Sequence, residues 1–232
     1  MLQTLLKKYQ SSFHKVVPFD AKRDTLLLLD FTAANTDLDD EILNDTEKFS
    51  RYIISKLQTS NAKFGIGGYN EHRTVYSRSK VFDTDDEPRR LHLGVDIWGD
   101  AETPVFAALD AVVHSFTFNN YYGDYGATII LQHKLENIVF HTLHGHLSLK
   151  DLDGVFVGKP INKGDLIAHF GKPQENGNWP PHLHFQLIID MQGNNGDYPG
   201  VCKLSEREEF LTNSPDSDLI LQIMQFAVLQ EH

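Results

Sequence analysis

The chain has a single cysteine, Cys202, in 232 residues. That excludes an intrachain disulfide and any cysteine-rich zinc finger, so whatever metal chemistry exists must draw on histidine and carboxylates. No apolar run approaches the roughly 20 residues that a membrane-spanning helix needs; the runs present, such as residues 26–29, are strand-sized. The first residues, Met1 to Phe13, mix leucines with Lys7, Lys8 and Gln10 in place of a basic start and an uninterrupted apolar stretch, so no secretion signal is read. A cytoplasmic protein is the expectation, with action at the cell envelope requiring another route of export. Positive charge is also in short supply: 32 acidic against 21 basic residues give a formal charge of -11, a field that repels phosphate backbones and anionic lipids. The basic pairs, such as Lys7-Lys8 and Arg89-Arg90, are too dispersed to track nucleic acid. Neither a nucleic acid partner nor a membrane span is expected.

What is present is an ordinary globular composition with two textures. Residues 1–62 read as a helical N-terminal extension: Leu2, Leu5, Leu6, Tyr9 and Phe13 fall on one face of a helix, and a second helix runs from a cap at Asp39 or Asp40 to Asn61, with a short buried strand between them at Thr25 to Phe31. Residues 63–87 form a connecting segment. From residue 88 to 190 short β-prone runs alternate with Gly, Pro, Asn and Asp: Val105–Ala108, Ala111–Phe118, Ala127–Gln132, Ile138–Leu143, Leu166–Phe170 and Leu183–Ile189. This rhythm predicts an antiparallel β-sandwich or barrel, so the fold class is mainly β with added helices, α+β overall. Residues 191–232 read as a tail that packs on the core, with a short helix at Ser205 to Thr212 and an apolar stretch from Leu219 to Gln230.

Twelve histidines are many for this length, and five of them fall in three clusters. These are His92 with Asp96 in His-Leu-Gly-Val-Asp, His144 and His146 in Thr-Leu-His-Gly-His-Leu-Ser, and His182 and His184 in Pro-Pro-His-Leu-His-Phe. In a strand, residues i and i+2 share a face, so His182 and His184 present two imidazoles to one site. Gly94 lets the chain bend between His92 and Asp96, a nitrogen and an oxygen donor that zinc accepts. With one histidine of the later pair they make a two-nitrogen, one-oxygen set that leaves a position open, the pattern of a catalytic zinc site. His144 and His146 share a strand face on the same reasoning, and a histidine near the metal can move a proton or donate to an oxyanion. Each cluster alone also reads as half-buried polar packing or turn capping. His141 falls on the opposite face and reads as structural.

Together the clusters resemble the lysostaphin/LytM family of zinc metalloendopeptidases. His92 and Asp96 match its His-x-x-x-Asp motif, Gly-His-Leu-Ser at 145–148 its Ala-His-Leu-Ser-like strand, and His182 and His184 its closing His-x-His. Thr-Pro-Val at 103–105, Tyr-Gly-Ala at 125–127 and the run from Val157 to Ala168 match its turns and strands, so the likeness spans about residues 88–190. It implies a β fold with a groove across a sheet, one zinc ion per chain on His92, Asp96 and His184, and His146 with His182 as the catalytic pair. The activity implied is hydrolysis of peptide bonds, of the peptidoglycan-peptide type; a cytoplasmic peptidase or amidase acting on small peptides and a non-catalytic peptide-binding module of the same fold are the alternatives. The sequence departs from the family pattern at Gln186, where Glu is common, at His144, where Tyr is often found, and at Asn178-Trp179-Pro180-Pro181, which replaces a small-residue lead-in. Trp179 and His144 are therefore expected at the groove. Tyr69, Asn70 and Glu71, in the polar stretch Gly67 to Arg73, are expected to fold over it as substrate contacts or as a latency loop, with His72 a further candidate ligand. A weaker likeness is to a module fused between a kinase-like domain and a pyridoxal-phosphate-dependent aminotransferase, which implies association with larger enzymes of that type.

Overall fold

The computed structural model describes residues 1–84 and 86–229. Five helices are used below, α1 (Leu2–Tyr9), α2 (Asp40–Leu43), α3 (Thr46–Thr59), α4 (Arg207–Asn213) and α5 (Asp218–Leu221). The strands are β1 (Leu26–Leu29), β2 (Phe64–Gly67), β3 (Leu91–His92), β4 (Val95–Trp98), β5 (Pro104–Phe106), β6 (Ala111–Asn119) and β7 (Gly126–Leu135). They continue with β8 (Ile138–Leu147), β9 (Pro160–Ile161), β10 (Leu166–His169), β11 (His182–Ile188), β12 (Val201–Cys202) and β13 (Ala227–Val228).

Nine strands form one sheet in the order β13-β1-β2-β4-β11-β8-β7-β6-β9, and β10 with β5 and β12 with β3 form two-stranded ribbons. The protein is mainly β, as the turn rhythm predicts, but the sheet stays open and does not close into a barrel. Nor is it wholly antiparallel: β1 pairs in parallel with both β2 and β13. Parallel neighbours need a crossover, and α3 lies in the connection from β1 to β2. Residues 26–29 thus extend the central sheet, and Leu2, Leu6, Val16, Val17 and Phe19 share one core with Val95, Ile97, Val105, Phe170, Leu183 and Phe185.

The second helix of the sequence reading is two helices. Asp39 accepts from the Ile42 amide to start α2, and Asp45 accepts from the Glu47 and Lys48 amides to start α3. A second capping aspartate breaks the helix because its side chain takes the amides that a continuous helix would give to backbone carbonyls. Phe49 and Ile53 of α3 pack with Phe31, Tyr76, Trp98 and Trp179 in a separate cluster. The helix expected at 205–212 runs over Arg207–Asn213. In the apolar tail, α5 contributes Ile220 and Leu221 to the main core and β13 pairs with β1; its last residue, Gln230, and the remainder of the 191–232 segment, residues 231–232, lie outside the described residues. No helix among the described residues is long and apolar enough to cross a membrane.

Candidate metal centre

Register across four strands places the site. Gly67 of β2 lies opposite Asp96 of β4, Asp96 opposite His184 of β11, and His184 opposite Gly145 of β8. Directly opposed residues in a sheet share a face, so the row Gly67, Asp96, His184, Gly145 runs across one surface. The two outer glycines leave room for side chains from elsewhere. A Cβ at 67 would lie 2.6 Å from the Arg73 guanidinium, and a Cβ at 145 would lie 2.6 Å from the Tyr125 ring. One row further along, Trp98 opposes His182, and their rings stack at 3.9 Å and 11°.

His92 reaches the same point from the short ribbon of β3 and β12. Its Nε2 lies 3.0 Å from His184 Nδ1 and 3.2 Å from Asp96 Oδ1, and His184 Nδ1 lies 3.0 Å from Asp96 Oδ1. All three side chains are buried. Gly94 serves this approach by its lack of a side chain: a Cβ there would meet the His184 ring at 2.7 Å and the Phe185 carbonyl oxygen at 2.8 Å.

The neighbours determine which ring nitrogens carry protons. His92 Nδ1–H donates to the Gly68 carbonyl at 2.8 Å, leaving a lone pair on Nε2. Gln186 gives its amide hydrogens to Pro199 O and Ser214 Oγ, so its Oε1 accepts from His184 Nε2–H at 2.9 Å, leaving a lone pair on Nδ1. Two imidazole lone pairs and a carboxylate oxygen therefore converge on one another with no proton between them. Such a set is repulsive by itself and is satisfied by a cation; two nitrogens and an oxygen with second nitrogens held by carbonyl groups are a donor set that suits zinc. Among the described residues, His92, Asp96 and His184 are the one group placed to hold a metal ion.

Arg73 completes the electrostatics, and the sequence reading missed it as a site residue. Its guanidinium is 1% exposed, bonds Asp96 Oδ2 at 2.5 Å and Glu71 Oε2 at 2.7 Å, and donates to Tyr76 Oη at 3.1 Å. Phe31 and Tyr76 flank it. With Oδ2 held by Arg73, Oδ1 of Asp96 is the oxygen turned to the two histidines. Burial acts to raise the Asp96 carboxyl, but His92 and the Arg73 charge outweigh it and hold the group well below the usual carboxylate range. Burial, aided by Arg73, pushes His92 down to about 4, which keeps it neutral and able to ligate. The available signals for Arg73 were the paired glycines at 67–68 and the acid at 71, but the partner at 96 is brought close only by the β2 and β4 pairing.

His146 and His182 stand beside this set with ring centroids 4.1 Å apart. Each donates Nδ1–H to a carbonyl at 2.8 Å, His146 to Asn176 and His182 to Pro180, so each carries its lone pair on Nε2. Burial lowers His182 to about 4 and takes His146 well below the usual imidazole range, with the neighbouring His182 adding to the effect. His146 reaches this face through an irregularity. Two residues of β7 (127 to 129) span three of β8 (144 to 147), and His146 has φ 61°. The extra residue re-aims its side chain, as β-bulges do.

That bulge corrects the expectation that His144 and His146 share a face. His144 opposes Phe185 and sits on the core side of the sheet, edge-on to that ring, so it is not a groove residue. The other polar candidates are also placed elsewhere. Tyr69 donates to the Ser214 carbonyl at 2.7 Å and packs on the core, Asn70 Oδ1 accepts from Arg207, and Glu71 pairs with Arg73. His72 is in an isolated bridge to Leu91. Neither Asn70, Glu71 nor His72 joins the metal-type group, so the latency-loop ligand is not found in this arrangement. Trp179 does line the cavity, which measures about 150 Å³ and is bounded also by Tyr76, Phe82, Tyr125, His146 and His182.

Residues 90–197 match peptidase family M23. Among solved structures the chain is similar to a zinc-containing peptidase from Vibrio cholerae, with 27% identity and a TM-score of 0.35 over 43% of this chain and 28% of that one. It is also similar to the catalytic domain of lysostaphin from Staphylococcus simulans, with 19% identity and a TM-score of 0.41 over 69% of this chain and 96% of that one. A third is Csd3 of Helicobacter pylori, at 25% identity and a TM-score of 0.34 over 53% of this chain and 32% of that one. The chain therefore spans about a quarter of the first of these proteins and nearly all of the second. No curated protein matches it. The three ordered motifs, at His92 and Asp96, at residues 145–148 and at His182 and His184, all lie within the matched span, so residues 90–197 are similar to peptidase family M23.

Proposed function

We propose that the protein is a zinc-dependent peptidase, with one ion held by His92 Nε2, Asp96 Oδ1 and His184 Nδ1. The observation that carries this reading is the convergence of three donor atoms within 3.2 Å of one another, each group oriented by a bond on its far side. Bound there, zinc would supply an activated water and a Lewis acid for the scissile carbonyl.

The chain's own residues do the rest. His146 and His182 are neutral at physiological pH, so an Nε2 lone pair can take the proton that an attacking water gives up, and the same imidazole can pass it to the leaving amine. The Nδ1–H bonds to Asn176 and Pro180 hold both rings in the tautomer this transfer needs. The imidazolium formed in the transfer sits in a buried site, where its charge acts strongly on a developing oxyanion. Trp98, stacked on His182, fixes that ring and keeps water from its far face.

The test is hydrolysis of a panel of short peptides and of purified peptidoglycan by metal-stripped protein and by protein reloaded with one equivalent of zinc. Cleavage restored by zinc and abolished by chelator is expected. A protein that binds one zinc yet cleaves no member of either panel would end the peptidase reading.

A further inference from the structure

The segment covering the metal face is clasped to the opposite side of the cavity. Two short 3-10 turns, Val75–Arg78 and Lys80–Phe82, carry Tyr76 and Phe82, whose rings pack on each other and on Trp179. Arg78 then crosses to the tip of the β6–β7 hairpin. It donates to Tyr122 Oη at 2.8 and 3.2 Å, to Thr46 Oγ1 at 3.0 Å and to the Asn178 carbonyl at 3.1 Å, with its guanidinium 4.6 Å over the Trp179 ring. Ser79 Oγ donates to the Tyr122 carbonyl at 2.7 Å. The seam is tight, since a Cβ on Gly123 would lie 2.5 Å from Ser79.

Arg78 is costly to place there. It is 7% exposed, forms no ion pair with a carboxylate among the described residues, and its Nη1 has no hydrogen-bond partner among them. Desolvation of an unpaired charge costs several kcal/mol, which the four hydrogen bonds and the ring contacts of Arg78 must offset.

We propose that the Arg78–Tyr122 clasp determines substrate length, confining this enzyme to short peptides and excluding the interior of long or cross-linked chains. The proposal rests on the peptidase reading above and names its substrate class. The cavity beside the donors holds about 150 Å³, below the roughly 300 to 1,000 Å³ of ordinary ligand pockets. An eight-residue strand spans about 26 Å at roughly 3.3 Å per residue and must leave the site at both ends. Val75, Tyr76 and Phe82 of the strap and Gly123 of the hairpin tip line one edge of that cavity, and the clasp that joins them would obstruct a longer chain leaving on that side.

The experiment compares doubly end-blocked peptides of two and eight residues, each with the same central bond, on zinc-loaded wild type, Arg78→Ala, Arg78→Lys and Tyr122→Phe. In parallel, calorimetry measures binding of the corresponding phosphinate isosteres, whose affinity for zinc needs no turnover. Wild type is expected to prefer the short peptide and short phosphinate by about tenfold or more in kcat/KM and Kd. Arg78→Ala should shrink that preference by about tenfold, with Arg78→Lys and Tyr122→Phe intermediate. Equal use of both lengths by wild type, or a preference that no variant alters, overturns the proposal. If Arg78→Ala does not fold, Tyr122→Phe, which removes only the hydroxyl that accepts from Arg78, decides it. Short-over-long phosphinate binding that the variants relieve, with no peptide cleaved, would uphold the clasp while ending the peptidase reading.

Discussion

Replacing Arg73 with methionine tests whether this buried cation organises the metal centre. The substitution keeps much of the side-chain volume between Phe31 and Tyr76 but leaves Asp96 Oδ2 and Glu71 without their guanidinium. The Asp96 side chain is 4% exposed, so its charge has no solvent to fall back on. Breaking one side of such a buried pair costs about 3 to 5 kcal/mol, a large part of the roughly 5 to 15 kcal/mol that holds a domain together. The loss should be conditional on metal. In the stripped protein Asp96 has lost its strongest cation, whereas in the loaded protein the ion remains as a counter-charge on Oδ1. Urea unfolding of wild type and Arg73→Met, each with chelator and with excess zinc, is therefore expected to show a loss of about 3 to 5 kcal/mol in chelator and a clearly smaller one in zinc. Glu71→Gln is the control; Glu71 is 15% exposed and partly solvated, so it should cost about 1 kcal/mol or less in either condition. A loss in Arg73→Met below about 1 kcal/mol in chelator, or one of equal size with and without zinc, would refute the reasoning.

Three further outcomes follow from the same geometry. His146→Ala and His182→Ala should each retain one zinc by metal analysis while losing about 10² to 10⁴ in kcat; loss of the metal in both would show that they are ligands and not proton carriers. Gly94→Ala should weaken zinc binding measurably in a chelator competition, because its Cβ would meet the His184 ring at 2.7 Å; unchanged affinity would mean that the β11 strand yields freely. Stability should also fall in mild acid through histidines outside the site. Burial lowers His133 to about 4 and His144 to about 3 from an unfolded value of 6.5. The unfolded chain then binds more protons from about pH 6.5 downward, so stability present at pH 7 is lost as pH falls through that window, by up to about 3 kcal/mol for His133 alone. Urea midpoints that do not change between pH 7 and 4.5, or a His133→Gln variant with an undiminished acid slope, would contradict this.

How much of this was readable in the chain depends on whether the cause is local. The i, i+2 spacing of His182 and His184 on β11 gives one shared face whatever surrounds it, and the cap at Asp39 acts within a single turn. The strands between residues 104 and 188 other than the two-residue β9 were legible for the same reason, since turn residues and apolar runs mark them without reference to partners. His146 lies beside His182 in the structure, but not by the route that alternation suggests. Strict alternation would put it with His144, and only the extra residue in β8, recognisable from its pairing with β7, turns it to the other face.

By itself, then, the sequence determined the mainly β character, the order of the three histidine motifs and the donor types available to a metal, because these follow from residue identity and short-range periodicity. Tertiary structure alone decided that the sheet stays open with β1 added in parallel, that Gly67 and Gly145 open the places for Arg73 and Tyr125 beside the donors, and that Arg78 clasps the strap to the hairpin. Each of those depends on which strands lie side by side and on how closely two distant backbones approach. Sequence spacing carries no record of either.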